Sequence, residues 1–289
     1  MNKKYHKTRK CSTCNKELFY SCISSYNLAE KNKQKCRSCA TVLYAKRKAD
    51  CSFLLEESLE KYYWLGFIIA DGHISKNNRL KITLAIKDTE HLEKLAKRLK
   101  TKITITKNVQ CSLTAMNRKI LSQLKKEYKI KHNKTQNPCD ISNITGDNLE
   151  AFKIGFIDGD GNIISTGGKN SERKDFQIRI KCHKSWKDNL EYMFGKAYIN
   201  SQGYALSCIS NTVESKKLKQ FAVENNLPFL ERKWKNINLN YISRCETASL
   251  RVKKYLELKQ QNKTNKYIAD KLGISESGLY MLKRRNNLI

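Results

Sequence analysis

The sequence predicts an α+β fold. Two similar halves, each an antiparallel sheet backed by helices, form one saddle, with a small cysteine-rich unit before them and an all-α unit after them. Three observations predict this. The stretch Trp64 to Gly72 (WLGFIIADG) returns as Lys153 to Gly161 (KIGFIDGDG), and a long-period repeat is the mark of duplicated structural units. Each copy is followed by the same succession of alternating and amphipathic segments. The two ends of the chain carry patterns of a different kind.

Residues 1–50 form the first unit. Cys11 and Cys14 make one Cys-x2-Cys pair, and Cys36 and Cys39 make another. Four thiolates at this spacing can close a tetrahedral Zn²⁺ site. So short a segment buries little apolar surface, so the metal would supply most of its stability. Thr41 to Lys48 reads as a helix start with a basic end, and the whole resembles treble-clef-like zinc modules. A purely structural knob and a nucleic-acid contact are both open; Lys3, Lys4, Lys7, Arg9, Lys10, Lys46, Arg47 and Lys48 favour contact. Cys22, Cys51, Cys111, Cys139, Cys182, Cys208 and Cys245 show no ligand spacing and read as packing residues.

The first half, residues 51–146, opens on the first repeat. Gly66 and Ala70 are four apart and share one helix face, as do Gly155 and Gly159 in the second copy. Small residues so placed let two helix backbones approach closely. Neither run reaches the ~20 apolar residues of a membrane span. Each helix ends in Asp-Gly. A left-handed glycine cap is the bland account, but Asp71 and Asp160 place negative charge at helix C-termini, where the macrodipole opposes it by ~0.3–1 kcal/mol. Paired helices would also set the two carboxylates against each other. Cations between them resolve both conflicts, and carboxylate oxygens suit Mg²⁺. After Asp71, Leu80 to Ile86 alternates, with Ile82, Leu84 and Ile86 inward and Lys81, Thr83 and Ala85 outward. Thr89 to Leu99 is an amphipathic helix, Ile103–Ile105 and Val109–Leu113 are strands, and Asn117 to Tyr128 is a second helix.

The second half, residues 147–243, repeats that order. Asp147 is the expected N-cap of its first helix. Phe176 to Cys182 alternates, with Ile178, Ile180 and Cys182 inward and Arg179, Lys181 and His183 outward. Gly167–Gly168 marks a hairpin turn, and Asn189–Phe194, Tyr204–Ile209 and Ser215–Val223 continue as helix, strand and helix. Residues 244–289 are the last unit, a linker with a helical pattern in its second half followed by two short helices. Ile268, Ala269 and Leu272 form one apolar face, Gly273 breaks the chain, and Ser275 caps a helix with Leu279 and Leu282 inward. This resembles the helix-turn-helix of resolvases. Its second helix would enter a major groove, with Ser275, Glu276, Ser277 and Tyr280 near base edges and Lys283, Arg284 and Arg285 near phosphate. A helical hairpin packed on the core is the competing reading.

The 289 residues carry a formal net charge of +30, which points to a polyanionic partner, most often nucleic acid. The N-terminus has no apolar signal region, so an intracellular setting, cytoplasm or nucleoid, with reduced thiols is expected; an organelle stays open.

The repeats WLGFIIADG and KIGFIDGDG resemble the two signature motifs of the LAGLIDADG homing endonucleases, in the monomeric form with two motifs per chain, over roughly residues 55–243. Ile69 departs from the motif's first acidic position, but the acid before the final glycine is present twice. The resemblance implies a saddle that binds double-stranded DNA, with Asp71 and Asp160 as catalytic residues sharing Mg²⁺ and each serving one strand. It also implies a lysine near the site in each half, by position Lys134 and Lys233, with Arg232 competing in the second. The open sheet faces would then present Lys81, Thr83, Arg179, Lys181 and His183 to a groove. The expected activity is Mg-dependent double-strand cleavage of a long target by a monomer, as in mobile introns. An RNA maturase or a non-catalytic DNA-binding regulator are the alternatives.

Overall fold

A computed structural model of the chain describes residues 7–40, 49–166, 175–242 and 244–288. Strands β1 (Lys7–Lys10) and β2 (Glu17–Tyr20) form a hairpin, followed by helix α1 (Ile23–Lys31). The chain then enters the main body through residues 49–54. Ala49, Cys51, Phe53 and Leu54 are buried in its core, and the Asn117 side chain donates to the Ala49 carbonyl at 3.1 Å. The expected basic helix at 41–48 lies outside the described residues.

The first half runs α2 (Leu59–Asp71), β3 (His73–Ile74), β4 (Arg79–Ala85), α3 (Thr89–Arg98), β5 (Ile103–Thr106), β6 (Gln110–Met116) and α4 (Arg118–Glu127). The second runs α5 (Gly146–Asp160), β7 (Gly161–Ser165), β8 (Phe176–His183), α6 (Lys187–Phe194), β9 (Tyr198–Ile199), β10 (Tyr204–Ile209), α7 (Thr212–Glu224) and the short α8 (Glu231–Trp234). The sheets have the same strand order, β3-β4-β6-β5 and β7-β8-β10-β9, with every neighbour antiparallel. The duplication seen in the motifs is therefore a duplication of topology. One hydrophobic core runs through both halves. The expected α+β architecture of two halves is what the structure has.

Helices α2 and α5 pack on each other at the centre. Ser58 caps α2, its hydroxyl accepting from the Lys61 N–H, and residues 61 to 69 are all buried. A Cβ on Gly66 would strike the Phe152 carbonyl, one on Gly155 would strike the Tyr63 carbonyl, and one on Gly159 would meet the Ala70 methyl. The contact is thus backbone on backbone and reciprocal. Gly72 and Gly161 end the two helices with φ of −79° and −81°, in extended conformation. The left-handed cap considered from sequence is absent at both. Glycine is needed there because a Cβ would sit 2.6 Å from the carbonyl of Ile68 or Ile157.

Three local expectations are corrected. Ile86 is 38% exposed; β4 ends at Ala85 and Ile86 opens a 3-10 turn, Ile86–Asp88, so Leu80 joins Ile82 and Leu84 as the third inward residue. Thr145, not Asp147, is the N-cap of α5, and Asp147 lies in the first turn, where its charge suits the helix dipole. Cys22 and Cys208 are exposed rather than packed, whereas Cys51, Cys111, Cys139 and Cys182 are buried. The Gly167–Gly168 turn lies outside the described residues.

The last unit has α9 (Arg244–Gln260), α10 (Asn265–Leu272) and α11 (Glu276–Arg285). The linker is helical over Arg244–Gln260, not only in its second half. Tyr255 and Leu258 of α9 join Ile268, Ala269 and Leu279 in a separate small core. Gly273 turns the chain at φ +60°, a left-handed conformation suited to glycine. Lys216 of α7 ties this unit to the second half, donating to the Glu246 carboxylate and the Tyr241 carbonyl, both at 2.7 Å. No helix among the described residues is long and apolar enough to cross a membrane.

The backbone contact sets a prediction. Gly66→Ala and Gly155→Ala should each destabilise the main body by at least the ~1–3 kcal/mol of core overpacking, since a carbonyl, not a flexible side chain, is in the way. Urea unfolding followed by Trp fluorescence measures this; an unchanged midpoint in both variants would rule the contact out.

Candidate functional site

The C-terminal ends of α2 and α5 meet, and four charged side chains gather there. Asp71 and Asp160 each end one helix. Lys134, from the segment that closes the first half, donates its ammonium to the carbonyls of Ile69 and Ala70. Lys233, on α8, donates to the carbonyls of Ile157, Gly159 and Gly161 at 3.1, 2.9 and 2.8 Å. Each lysine therefore satisfies carbonyls left over at a helix C-terminus and complements the dipole there. Arg232, the competing residue, reaches neither set of carbonyls; its guanidinium is bound to the Asp88 carboxylate.

Two clefts flank the helix ends. One, of about 380 Å³, is lined by Asp160 and Lys134 with Lys181, His183 and Trp186. The other, of about 240 Å³, is lined by Asp71 and Lys233 with Thr83, Asp88 and Arg232. Each cleft thus joins the carboxylate of one half to the lysine that closes the other.

The electrostatics follow from crowding. Burial raises the pKa of Asp71, the facing Asp160 raises it further, and Lys233 and Lys134 oppose. Burial also raises that of Asp160, against the two lysines. Both ammonium pKa values are lowered by burial and pulled back by the carboxylates. Both aspartates keep exposed edges, so these are the effects of a dense cleft still open to water. Two hard oxygen donors that repel each other, with free edges on a solvent-accessible cleft, fit a divalent cation such as Mg²⁺.

Asp158, beside the candidate site, does not stand out in the sequence. It is 1% exposed. Its carboxylate accepts from the Tyr63 hydroxyl at 2.7 Å, the Leu230 N–H at 2.7 Å and the Trp234 indole N–H at 2.6 Å. Burial pushes its pKa up to about 6 against those three donors. It fastens α5 both to α2 and to the segment carrying Lys233. Its counterpart in the first motif is Ile69, and the one signal in the sequence was that mismatch.

Of the sheet positions, Thr83 lines the Asp71 cleft, and Lys181 and His183 line the Asp160 cleft. Lys81 and Thr83 on β4 are exposed, as are Arg179 and Lys181 on β8. Arg179 donates to Gln177 at 3.2 and 2.9 Å, and Lys181 stands 3.9 Å over the Tyr204 ring. His183 is half-buried and accepts from the Ser185 N–H at 3.3 Å. In the last unit, Ser277, Tyr280 and Arg284 are exposed and Lys283 is half-buried. Ser275 is committed to capping α11, accepting from the Gly278 N–H at 3.1 Å. These residues are on a separate unit and do not join the central clefts.

A second candidate site is the cysteine cluster. The sulfurs of Cys11, Cys14, Cys36 and Cys39 all lie within 4.8 Å of one another. Tetrahedral zinc with Zn–S of about 2.3 Å places sulfurs about 3.8 Å apart. The Cys36 N–H donates to the Cys11 sulfur at 3.3 Å and the Cys39 N–H to the Cys36 sulfur at 3.4 Å. The Cys36 N–H holds the Cys11 thiol down to about 6, while the Cys14 and Cys36 sulfurs push Cys39 up to about 12. Taking all four as thiolates needs a cation among them, and the donor set fits Zn²⁺.

No protein-family model matches this chain, and no curated protein matches it. Among solved structures it is similar to the LAGLIDADG meganuclease I-AabMI bound to uncleaved DNA, at 16% identity and TM-score 0.44, covering 77% of this chain and 96% of that one. It is also similar to the LAGLIDADG homing endonuclease I-GzeII in complex with its DNA target, at 15% identity and TM-score 0.37, covering 73% and 95%. A third is the LAGLIDADG homing endonuclease I-LtrWI bound to target DNA, at 13% identity and TM-score 0.38, covering 80% and 97%.

Two outcomes are expected. A carboxyl whose folded pKa is raised penalises folding fully above that pKa, and the penalty fades as pH falls towards the ordinary carboxylate value. Asp71→Asn should therefore raise the melting temperature at pH 7 in EDTA, with the gain shrinking as the pH is lowered. A lower melting temperature than wild type at pH 7 would contradict this. For the cysteine cluster, the purified protein should hold one zinc per chain by elemental analysis, and Cys36→Ser should lose it; full zinc occupancy in that variant would exclude the four-sulfur site.

Proposed function

We propose that this chain is a site-specific DNA endonuclease of the homing type, which makes a double-strand break in a long target by Mg-dependent phosphodiester hydrolysis. The observation that carries the reading is the pair of clefts, each joining one helix-terminal aspartate to one capping lysine. Two such centres, each an aspartate with a lysine, suit a substrate with two scissile phosphates. The basic open faces of the two sheets lie beside them and suit the phosphate backbone on either side.

In this reading Asp71 and Asp160 are the residues that would hold Mg²⁺, which when bound would supply Lewis-acid charge to the attacking water and the leaving oxygen. Lys134 and Lys233 offer a fixed positive charge beside each scissile phosphate. Lys81, Thr83, Arg179, Lys181 and His183 read or clamp the duplex along the saddle. The zinc unit and the helix-turn-helix, with Ser277, Tyr280, Lys283 and Arg284 forward, lengthen the footprint and raise affinity through effective concentration. The proposed units are 1–50, 51–146, 147–243 and 244–289, acting as a monomer.

The target comes from selection with a randomised DNA library in Mg²⁺. On a supercoiled plasmid carrying it, wild type should give linear product, and Asp71→Asn and Asp160→Asn should each lose double-strand cleavage by at least ~10²-fold. Wild-type linearisation by both variants would refute the assignment. Failure of the wild type to cut any selected DNA would favour a binding protein without catalysis.

A further inference from the structure

The segments bearing the two lysines are gripped by the opposite halves in unlike ways. In the first half, β4 is followed by the 3-10 turn Ile86–Asp88 and then α3; in the second, β8 is followed by the 3-10 turn Lys184–Trp186 and then α6. Asp88 and Trp186 are therefore counterparts, each the last residue of its turn. Asp88 takes the guanidinium of Arg232 in two parallel bonds, Nε to Oδ1 at 2.7 Å and an outer nitrogen to Oδ2 at 2.9 Å. The Asp88 side chain is 9% exposed. Trp186 makes no ion pair. Its indole N–H donates to the backbone carbonyls of Lys134 and Thr135 at 3.1 and 3.2 Å, and Ser185 adds a bond to the Thr135 carbonyl at 3.2 Å.

Arg232 immediately precedes Lys233. On one side α8 is held by Asp158 through Leu230 and Trp234; on the other it is held by Asp88 through Arg232. The Asp88 bonds cross from the first half to the second and line the same cleft as Asp71 and Lys233. A bidentate arginine–carboxylate pair fixes direction as well as distance, here with the carboxylate buried and the guanidinium 38% exposed. The neutral grip on the Lys134 segment has no such charge.

We propose that the Asp88–Arg232 pair is a positioning strut for Lys233, acting on the Asp71 centre and not on the Asp160 centre, so that it governs one of the two strand cuts. This rests on the endonuclease reading above. A misplacement of about 1 Å costs on the order of 10²-fold in rate, and the loss falls on one strand. Neither Asp88 nor Arg232 needs to touch DNA for this.

The test uses full-length Asp88→Ala and the isosteric Asp88→Asn, on target duplex labelled separately on each strand. Either variant should slow the cut of one strand by ~10–100-fold and leave the other within about twofold, so nicked circles accumulate from plasmid. Trp186→Phe, which removes the two indole bonds of the opposite grip, should slow the other strand. Asp88→Glu should restore much of the lost rate. Equal slowing of both strands, or no slowing in either Asp88 variant, overturns the proposal. A second readout needs no cleavage: lysine acylation followed by mass spectrometry should show Lys233 labelled at least several-fold faster in Asp88→Asn, with Lys134 unchanged. If wild type cuts no DNA, the endonuclease reading fails, and unchanged Lys233 labelling is then the result that removes the strut as well.

Discussion

The close approach of α2 and α5 is the constraint on which the rest depends. Gly66 and Gly155 let each helix rest on a carbonyl of the other, and no side chain larger than hydrogen fits. Because both helices end at this contact, their C-termini, with two aspartates and a set of unpaired carbonyls, arrive at one place. The two sheets fan out from it. Thr83 of one sheet and Lys181 and His183 of the other line the two clefts.

Converging two helix C-termini collects negative potential from both the dipoles and the carboxylates. The chain offsets part of it by bringing back two lysines from the segments that close each half. Their ammonium groups cap the carbonyls and leave the aspartates' outer edges free. Asp71 and Asp160 are thereby held ionisable but poorly compensated, a state suited to cation binding. The neighbouring Asp158 has the opposite fate. Three donors consume it, and it acts as a fastening point inside the protein. Two carboxylates two positions apart on one helix, Asp158 and Asp160, are separated in role by which face they stand on.

Much of this was legible in the sequence. The small-residue spacing read out the helix contact, the alternation of Leu80–Leu84 and of Phe176–Cys182 read out the central strands, and Asp71 and Asp160 stood out by their helix-end position. Lys134 and Lys233 came only by analogy of position, since lysine is too frequent here for spacing to single one out. Contacts between segments far apart in sequence stayed hidden. The bond of Arg232 to Asp88 and the hold of Trp186 on the Lys134 segment depend on how two halves interlock, which no local period encodes. Short strands such as β3 and β7 escaped because two to five residues directly after a helix are too few to display alternation. Ile86 was misplaced because a turn, invisible in hydropathy, ended its strand one residue early.

The central contact also has a consequence for how the protein is made. Residues 61–69 of α2 are buried, partly against α5, which begins only at Gly146. At about 5–20 residues per second, the ribosome needs several seconds after finishing α2 before its partner emerges. Through that interval an apolar helix face, grooved by Gly66 and fitted to a backbone not yet synthesised, has no native cover. The same close packing that joins the finished halves leaves the nascent first half waiting on the second.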